Sequence, residues 1–197
     1  MPLPIATSNI VKQAFRMMEI APVSSFADDS EQAQDAAEQY DAAIGFCLEY
    51  YDWSFSRALV DLPPAAVPGV ANDPDLPFIY ILPSDLLALR FVLPEPIAWR
   101  RDGNILRADA AGPVQIRYTR KTTDETTLPQ TFQTAASAQL AFLLSPRWVR
   151  SRTKRADIAQ SVTTYLETAK RNDMQSGSSS RHDGRPRQED WVSGATR

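Results

Sequence analysis

The beginning of the chain repeats its apolar residues with the period of an α-helix. Residues 8–20 place apolar side chains on one stripe, and Thr7 or Ser8 precedes them as an N-cap. Pro22 ends this first helix. The pattern therefore predicts a short amphipathic helix at residues 8–20.

A longer helix is predicted at residues 29–51. Asp29 followed by Gln32 resembles a capping box at its start. One stripe carries small, apolar and aromatic side chains, namely Ala33, Ala36, Tyr40, Ile44, Cys47 and Tyr51. The opposite face carries acidic side chains, namely Glu31, Asp35, Glu38, Asp41 and Glu49. The stripe is typical of core packing.

From residue 53 the apolar period becomes two. The stretch WSFSRALV alternates Trp53 and Phe55 with serines, which predicts a half-buried strand. A loop rich in proline occupies residues 61–77. Further strands are predicted at 77–82, 89–94 and 114–120, with a short helical turn at 83–87 and a hairpin at 97–109. Since no helix long enough for a crossover links these strands, the sheet of the β region 53–120 should be antiparallel.

Helical periodicity returns after Pro129. Thr131 can cap a helix at residues 132–144, and Ser145 followed by Pro146 has the form of an N-cap before another helix. This last and longest helix is predicted at residues 147–175, and the sequence RSRTKR is a place where it can break. From residue 177 the chain is too polar to form a core of its own.

These patterns predict an α+β fold: a bundle of about four helices with a long C-terminal helix, packed with a small antiparallel sheet. Residues 1–176 form the domain, and 177–197 form a flexible, extended tail. Tyr51, Trp53 and Phe55 are interpreted as the junction where the bundle packs on the sheet, because aromatic residues dominate such contacts. The alternative for these rings is the wall of a ligand pocket.

Composition is that of a soluble globular protein. The chain has 197 residues, of which 43% are hydrophobic and 23% charged. No apolar run is long enough to span a bilayer, and the first residues show no secretory signal. Cys47 is the only cysteine, which excludes an internal disulfide and fits a reducing compartment.

Charge is distributed unevenly along the chain. Residues 1–146 carry 10 Lys or Arg against 18 Asp or Glu, whereas residues 147–197 carry 11 against 6. A short basic segment contains no acidic residue and comprises Arg147, Arg150, Arg152, Lys154 and Arg155. It suits DNA phosphates, with Trp148 as a stacking ring, or an acidic protein surface. The alternative is a solvated start of a helix. Because cations near a helix N-terminus are mildly unfavourable without a partner, we expect a partner, either nucleic acid or an acidic protein surface.

Candidate catalytic groups are scarce. His182 is the only histidine and lies in the polar tail, which removes Ser–His and Cys–His pairs and most histidine-containing metal sites. Cys47 is on the apolar stripe, no glycine-rich phosphate loop exists, and the acidic pairs at residues 28–29 and 124–125 suit caps and turns. We therefore expect neither an enzyme nor a cofactor or metal site.

The order of several short motifs resembles the head–tail adaptor proteins of tailed bacteriophages, such as tail tubular protein A and the adaptor of gene transfer agents. The matching stretches are YDWSFSRALVDLP, LPSDLLAL, RRDGNIL, VQIRYTR, LPQTFQTAASAQLAFLLS and YLETAKRNDMQ. Together they span nearly all of residues 8–175. The proline-rich loop at 61–77 departs from the pattern.

The resemblance implies a structural virion protein at the portal vertex. Such subunits form a ring, as a dodecamer, beneath the portal protein. The ring extends the channel for double-stranded DNA without reading its sequence and offers a surface to the tail protein. Assembly takes place in the host cytoplasm. It implies no catalytic residue. The C-terminal extension is expected to dock on the portal through Trp191, Val192, Arg185 and Arg187. The alternatives are a neck or tail-completion protein and a sequence-nonspecific DNA-binding module.

Overall fold

The computed structural model describes residues 8–21, 30–122 and 124–175. This part of the chain contains four α-helices and six strands, which confirms the predicted α+β class. The helices are α1 (Asn9–Met18), α2 (Glu31–Tyr50), α3 (Gln130–Trp148) and α4 (Arg152–Gln175), with a short 3₁₀ helix at Glu125–Thr127 before α3. The strands are β1 (Arg57–Leu62), β2 (Phe78–Ile81), β3 (Leu86–Leu93), β4 (Trp99–Asp102), β5 (Ile105–Ala108) and β6 (Val114–Arg120).

The first two helices begin at serine caps. The Ser8 hydroxyl accepts a hydrogen bond from the backbone N–H of Val11, and that of Ser30 accepts one from Ala33. The capping box predicted from Asp29 is therefore wrong, because Ser30 occupies the N-cap position. Asp29 itself lies outside the described residues.

The strands form two three-stranded antiparallel sheets in place of the single sheet expected. Their orders are β1-β6-β3 and β2-β5-β4. Tyr80 and Leu106 of the second sheet are buried in one cluster with Val114 and Ile116 of the first, so the two sheets share a core. The hairpin turn between β4 and β5 contains Gly103 at φ 67°, a conformation that glycine adopts without strain.

The predicted strand at residue 53 and the helical turn at 83–87 both need correction. Residues 54–56 form a turn in which the Ser56 N–H donates to the Trp53 carbonyl, and β1 begins only at Arg57. The second segment is a tight turn closed by the Leu86 N–H on the Pro83 carbonyl, after which β3 starts. In both cases a local turn hydrogen bond replaces the regular element.

The boundary between the last two helices also differs from the prediction. Helix α3 begins after Pro129 without a side-chain cap, and it continues through Pro146 to Trp148. Proline cannot donate to the carbonyl four residues before it, that of Phe142. The Ser145 hydroxyl donates to this carbonyl instead, at 2.9 Å, so proline is tolerated in the last turn. The predicted helix 147–175 begins only at Arg152.

Helix α3 is the centre of the bundle, and α1, α2 and α4 all pack against it. Its buried surface is lined by alanines, namely Ala135, Ala136, Ala138 and Ala141, which let three neighbouring helices approach closely. This helical core is separate from the core between the sheets. None of the helices described here is long and apolar enough to cross a membrane.

Candidate functional site

The aromatic cluster lies at the connection from α2 to β1. Trp53 is 1% exposed and packs against Tyr51, Phe55 and Phe132, with ring centroids 5.3, 5.8 and 5.2 Å away. Its indole N–H donates to the Cys47 carbonyl at 2.8 Å, near the end of α2. The rings fill the end of the helical core beside the first sheet, which favours the junction over the ligand-pocket alternative.

Asp52 connects this turn to the first sheet. Its carboxylate binds the Arg57 guanidinium at 3.3 Å and that of Arg117 at 3.0 Å. The Arg117 guanidinium also lies 4.1 Å from the ring centre of Phe91, and its side chain is almost fully buried. A buried arginine requires such a partner, so Asp52 is a structural carboxylate between bundle and sheet.

Arg90 of β3 binds the end of α2. Its guanidinium donates to the carbonyls of Leu48, Glu49 and Tyr51 at 2.9 to 3.2 Å, and its Nε donates to the Thr119 hydroxyl at 2.8 Å. Burial lowers the pKa of Arg90. The last carbonyls of a helix have no partner within the helix, so a cation there satisfies them.

Neither Arg90 nor Arg117 was identified from the sequence as important. The signal was present, because an arginine that interrupts the apolar run LLALRFVL must find a partner where the strand is covered. What the pattern does not contain is the identity of that partner.

The basic segment is divided between three parts of the corner that joins α3 to α4. Arg147 and Trp148 end α3, Arg150 lies in the link, and Arg152, Lys154 and Arg155 lie in the first turn of α4. The Arg147 guanidinium binds both oxygens of Asp35 at 2.6 and 2.7 Å, and Glu31 at 2.7 Å. The Trp148 indole also donates to Asp35, at 2.9 Å. Arg147 and Trp148 are thus occupied by the acidic face of α2.

The remaining cations of the segment differ in their surroundings. Lys154 binds Glu19 at the end of α1, with the two charged atoms 2.5 Å apart. Arg150 and Arg152 are exposed, and neither makes an ion pair within the part of the chain that the structure describes. Acidic residues of the same chain therefore bind some of the cations for which the sequence predicted an external partner.

Potentially reactive groups are placed in structural roles. Burial raises the pKa of the Cys47 thiol to about 12, so the thiol stays protonated and unreactive near neutral pH. Glu125 accepts hydrogen bonds from the Ser8 hydroxyl, the Asn9 backbone N–H and the Tyr40 hydroxyl, which fastens the start of α1 to α2. Burial and this carboxylate raise the pKa of Tyr40. Among the residues described, no group of three or more His, Cys, Asp or Glu could hold a metal ion.

Two open grooves are present in the described surface. One, of about 450 Å³, lies between the end of α1 and the start of α4 and is lined by Met17, Lys154 and Tyr165 among others. The second, of about 300 Å³, lies beside β3 and is lined in part by Arg90, Glu95 and Trp99. Both are shallow and mixed in polarity, which is unlike the enclosed apolar sites typical of small-molecule ligands.

The residues of the predicted portal-docking tail, Arg185, Arg187, Trp191 and Val192, lie outside the described residues.

No protein-family model matches the sequence, and no curated protein matches it.

Proposed function

We propose that this protein is a head–tail adaptor of a tailed bacteriophage or gene transfer agent. In this proposal its subunits form a dodecameric ring beneath the portal protein, extend the channel through which double-stranded DNA passes, and present a surface to the tail protein. The protein is then a structural component of the virion, with no chemical step to perform.

The observation that carries the proposal is where the shared motifs fall in the fold. YDWSFSRALVDLP runs from the end of α2 through the aromatic turn into β1, RRDGNIL forms the turn between β4 and β5, and LPQTFQTAASAQLAFLLS forms the central helix. These stretches contain Trp53, Asp52 and the buried alanines of α3, which hold the bundle together and join it to the first sheet. The resemblance therefore rests on residues that determine the fold.

The charge distribution supports a conduit for DNA. Residues 1–146, which contain α1, α2, both sheets and all but the last two residues of α3, have 8 more acidic than basic residues. Like charge between a channel wall and the phosphate backbone opposes sticking, so DNA can slide.

A second candidate is a sequence-nonspecific DNA-binding module. Exposed Arg150 and Arg152 favour it, because cations without an acidic partner suit phosphates. Arg147 and Trp148 weigh against it, since both are bound to Asp35. A neck or tail-completion protein of the same particle, which would bind the tail tube in place of the portal, is the alternative nearest to the main proposal.

Deletion of the gene from the phage or gene-transfer-agent genome that encodes it tests the proposal. We expect heads without tails in electron micrographs, and restoration of tailed particles when the gene is supplied in trans. Tailed, infectious particles in the deletion strain would contradict the proposal. Tails that assemble fully but lack only their terminal attachment piece would favour the tail-completion alternative.

The C-terminal tail is proposed to dock on the portal. Residues 177–197 contain few apolar groups, and Trp191 is the largest of them. A lone tryptophan in a polar segment contributes little in water, whereas a pocket on a partner can bury it as an anchor. This part of the proposal rests on the sequence alone.

A further inference from the structure

The outer face of α2 is acidic, and most of its length is exposed to solvent in the described part of the chain. Helix α2 contains five acidic residues and no Lys or Arg. Glu38, Ala42, Gly45 and Glu49 follow one another at intervals of four, three and four residues, so they form one stripe along the helix. This stripe is about 16 Å long.

An aromatic side chain borders this stripe. Phe46 lies on the exposed side of α2 and is 48% exposed, an unusual position for a phenylalanine in a helix whose other face builds the core. Glu38 and Glu49 are exposed, and neither forms an ion pair with another described residue. The face thus combines carboxylates that form no salt bridge with an exposed apolar ring; Glu49 also feels the charge of Arg90, whose guanidinium donates to the Glu49 backbone carbonyl.

The chain itself shows which chemistry suits this face. At its N-terminal end, Arg147 of the basic segment binds Asp35 through two nitrogen–oxygen contacts of 2.6 and 2.7 Å, and Trp148 donates to the same carboxylate. Both contacts come from one guanidinium nitrogen, and the other nitrogen binds Glu31 at 2.7 Å. Hydrogen bonds between two ionised groups are among the strong polar contacts of proteins. Arginine beside an apolar side chain is therefore a ligand that α2 already accepts.

The same basic segment also supplies the unused counterpart. Arg150 and Arg152 follow directly after Arg147 and Trp148, are exposed, and lack an ion pair inside the described chain. Each chain consequently presents an uncovered acidic face at one place and uncovered arginines at another. Opposite charges on two different surfaces of one molecule favour contact between copies from head to tail.

We propose that the partner of the α2 face is a second copy of this chain, whose Arg150 and Arg152 bind Glu38 and Glu49 and cover Phe46. The inference rests on the proposed function, since it names the contact between neighbouring subunits of the ring. Such a contact joins different residues of the two copies, and when each copy makes it with the next in one direction it can close a ring. Exposed charge pairs contribute little individually and are screened by salt, so the contact is weak in isolation.

Reversal of the charges tests the contact. One variant carries Glu38→Lys and Glu49→Lys, and the other carries Arg150→Glu and Arg152→Glu. Sedimentation velocity over a range of protein concentrations at low salt measures self-association, with circular dichroism to verify folding. We expect each variant to associate on the order of a hundredfold more weakly than the wild type, because like charges then face each other.

Rescue gives the decisive readout. An equimolar mixture of the two variants should associate again, because each then offers the charge that the other requires, and one chain with all four substitutions should associate as well. A merely structural role for these side chains would not be rescued by mixing. Matched controls reverse exposed charges away from both surfaces, with Glu95→Lys for the acidic face and Arg101→Glu on β4 for the basic segment, and should associate like the wild type.

Three outcomes would overturn the proposal: no association of the wild type, association unaffected by either variant, or no rescue on mixing. A separate titration with a 20-base-pair DNA duplex tests the DNA-binding alternative. If the arginine variant loses DNA binding but associates with itself like the wild type, Arg150 and Arg152 bind DNA and the proposed contact is wrong. Failure of the contact is distinct from failure of the adaptor function. Gene deletion could still give tailless heads while the ring used other surfaces, and charge-dependent association could persist in a protein that is dispensable for tails.

Discussion

Replacement of Trp53 by alanine should remove the largest fully buried side chain among the described residues. The indole is 1% exposed, at the point where α2 ends and the chain turns towards β1. It packs against the rings of Tyr51, Phe55 and Phe132. Its N–H also satisfies the Cys47 carbonyl near the end of α2.

The expected loss follows from these contacts. Truncation of a buried tryptophan to alanine costs about 3–5 kcal/mol, because apolar burial is lost and a cavity remains. Since the indole packs against the rings of Tyr51, Phe55 and Phe132, we expect about 4 kcal/mol. For a domain of this size that is a fall in melting temperature of roughly 8–16 °C. Trp53→Phe, which keeps a ring but removes the indole hydrogen bond, should cost about 1–3 kcal/mol.

Urea unfolding followed by far-ultraviolet circular dichroism measures this loss without relying on tryptophan fluorescence. Trp99→Ala is the matched control, since Trp99 is 43% exposed on β4, and it should change the unfolding free energy by less than about 1 kcal/mol. If Trp53→Ala were as mild as this control, the ring would not be part of the core, and a role in ligand binding would need to be considered again.

Three further predictions concern other parts of the chain. Arg90→Met should lower the unfolding free energy by about 2–3 kcal/mol, because three carbonyls at the end of α2 lose a charged donor. Arg101→Met, on the exposed β4 strand, should leave the unfolding free energy nearly unchanged in the same urea titration. Since the pKa of Cys47 is raised to about 12, a thiol reagent at pH 8 should label it only after unfolding, and labelling of the native protein at the rate of a free thiol would contradict its burial. A chain that stops after Gln175 should melt like the full-length protein but bind purified portal rings much more weakly, with Trp191→Ala giving part of that loss; equal binding would exclude the tail as the docking element.

Periodicity predicted the number and type of the main elements because each has one face in a core. The acidic outer face of α2, the hairpin around Gly103 and the inward side of β6 all follow from such patterns. Whether each of these elements is a helix or a strand can therefore be predicted from a single sequence. The arrangement into two sheets is not, because period two states which side of a strand is buried but not which strand lies beside it.

The wrong boundaries have local causes. Trp53 and Phe55 alternate with serines as a strand would, yet Ser54 donates its backbone N–H and hydroxyl to Asp173 of α4, and residues 54–56 turn. Ser145 followed by Pro146 has the form of a helix start, yet the serine hydroxyl serves the carbonyl that proline cannot. In each case a hydrogen bond from a short side chain decides the geometry, and its partner is known only once the fold exists.

The basic segment shows the same limit for the candidate site. Its five cations form one patch in the sequence, but Arg147 and Lys154 bind acidic residues of α2 and α1. Pairing between distant segments divides the patch into occupied and unoccupied cations. Within this segment, only Arg150 and Arg152 are exposed and form no ion pair with another described residue, and these two carry the inference about neighbouring subunits.

The most direct test of the adaptor proposal is a cryo-electron microscopy reconstruction, without imposed symmetry, of the necks of tailed particles produced by a host that carries this gene. The proposal predicts a ring of about twelve copies of this chain, with the portal protein above, the tail protein below and the DNA channel through the centre. A particle that lacks the chain, or that carries it only along the tail tube, would contradict the proposal.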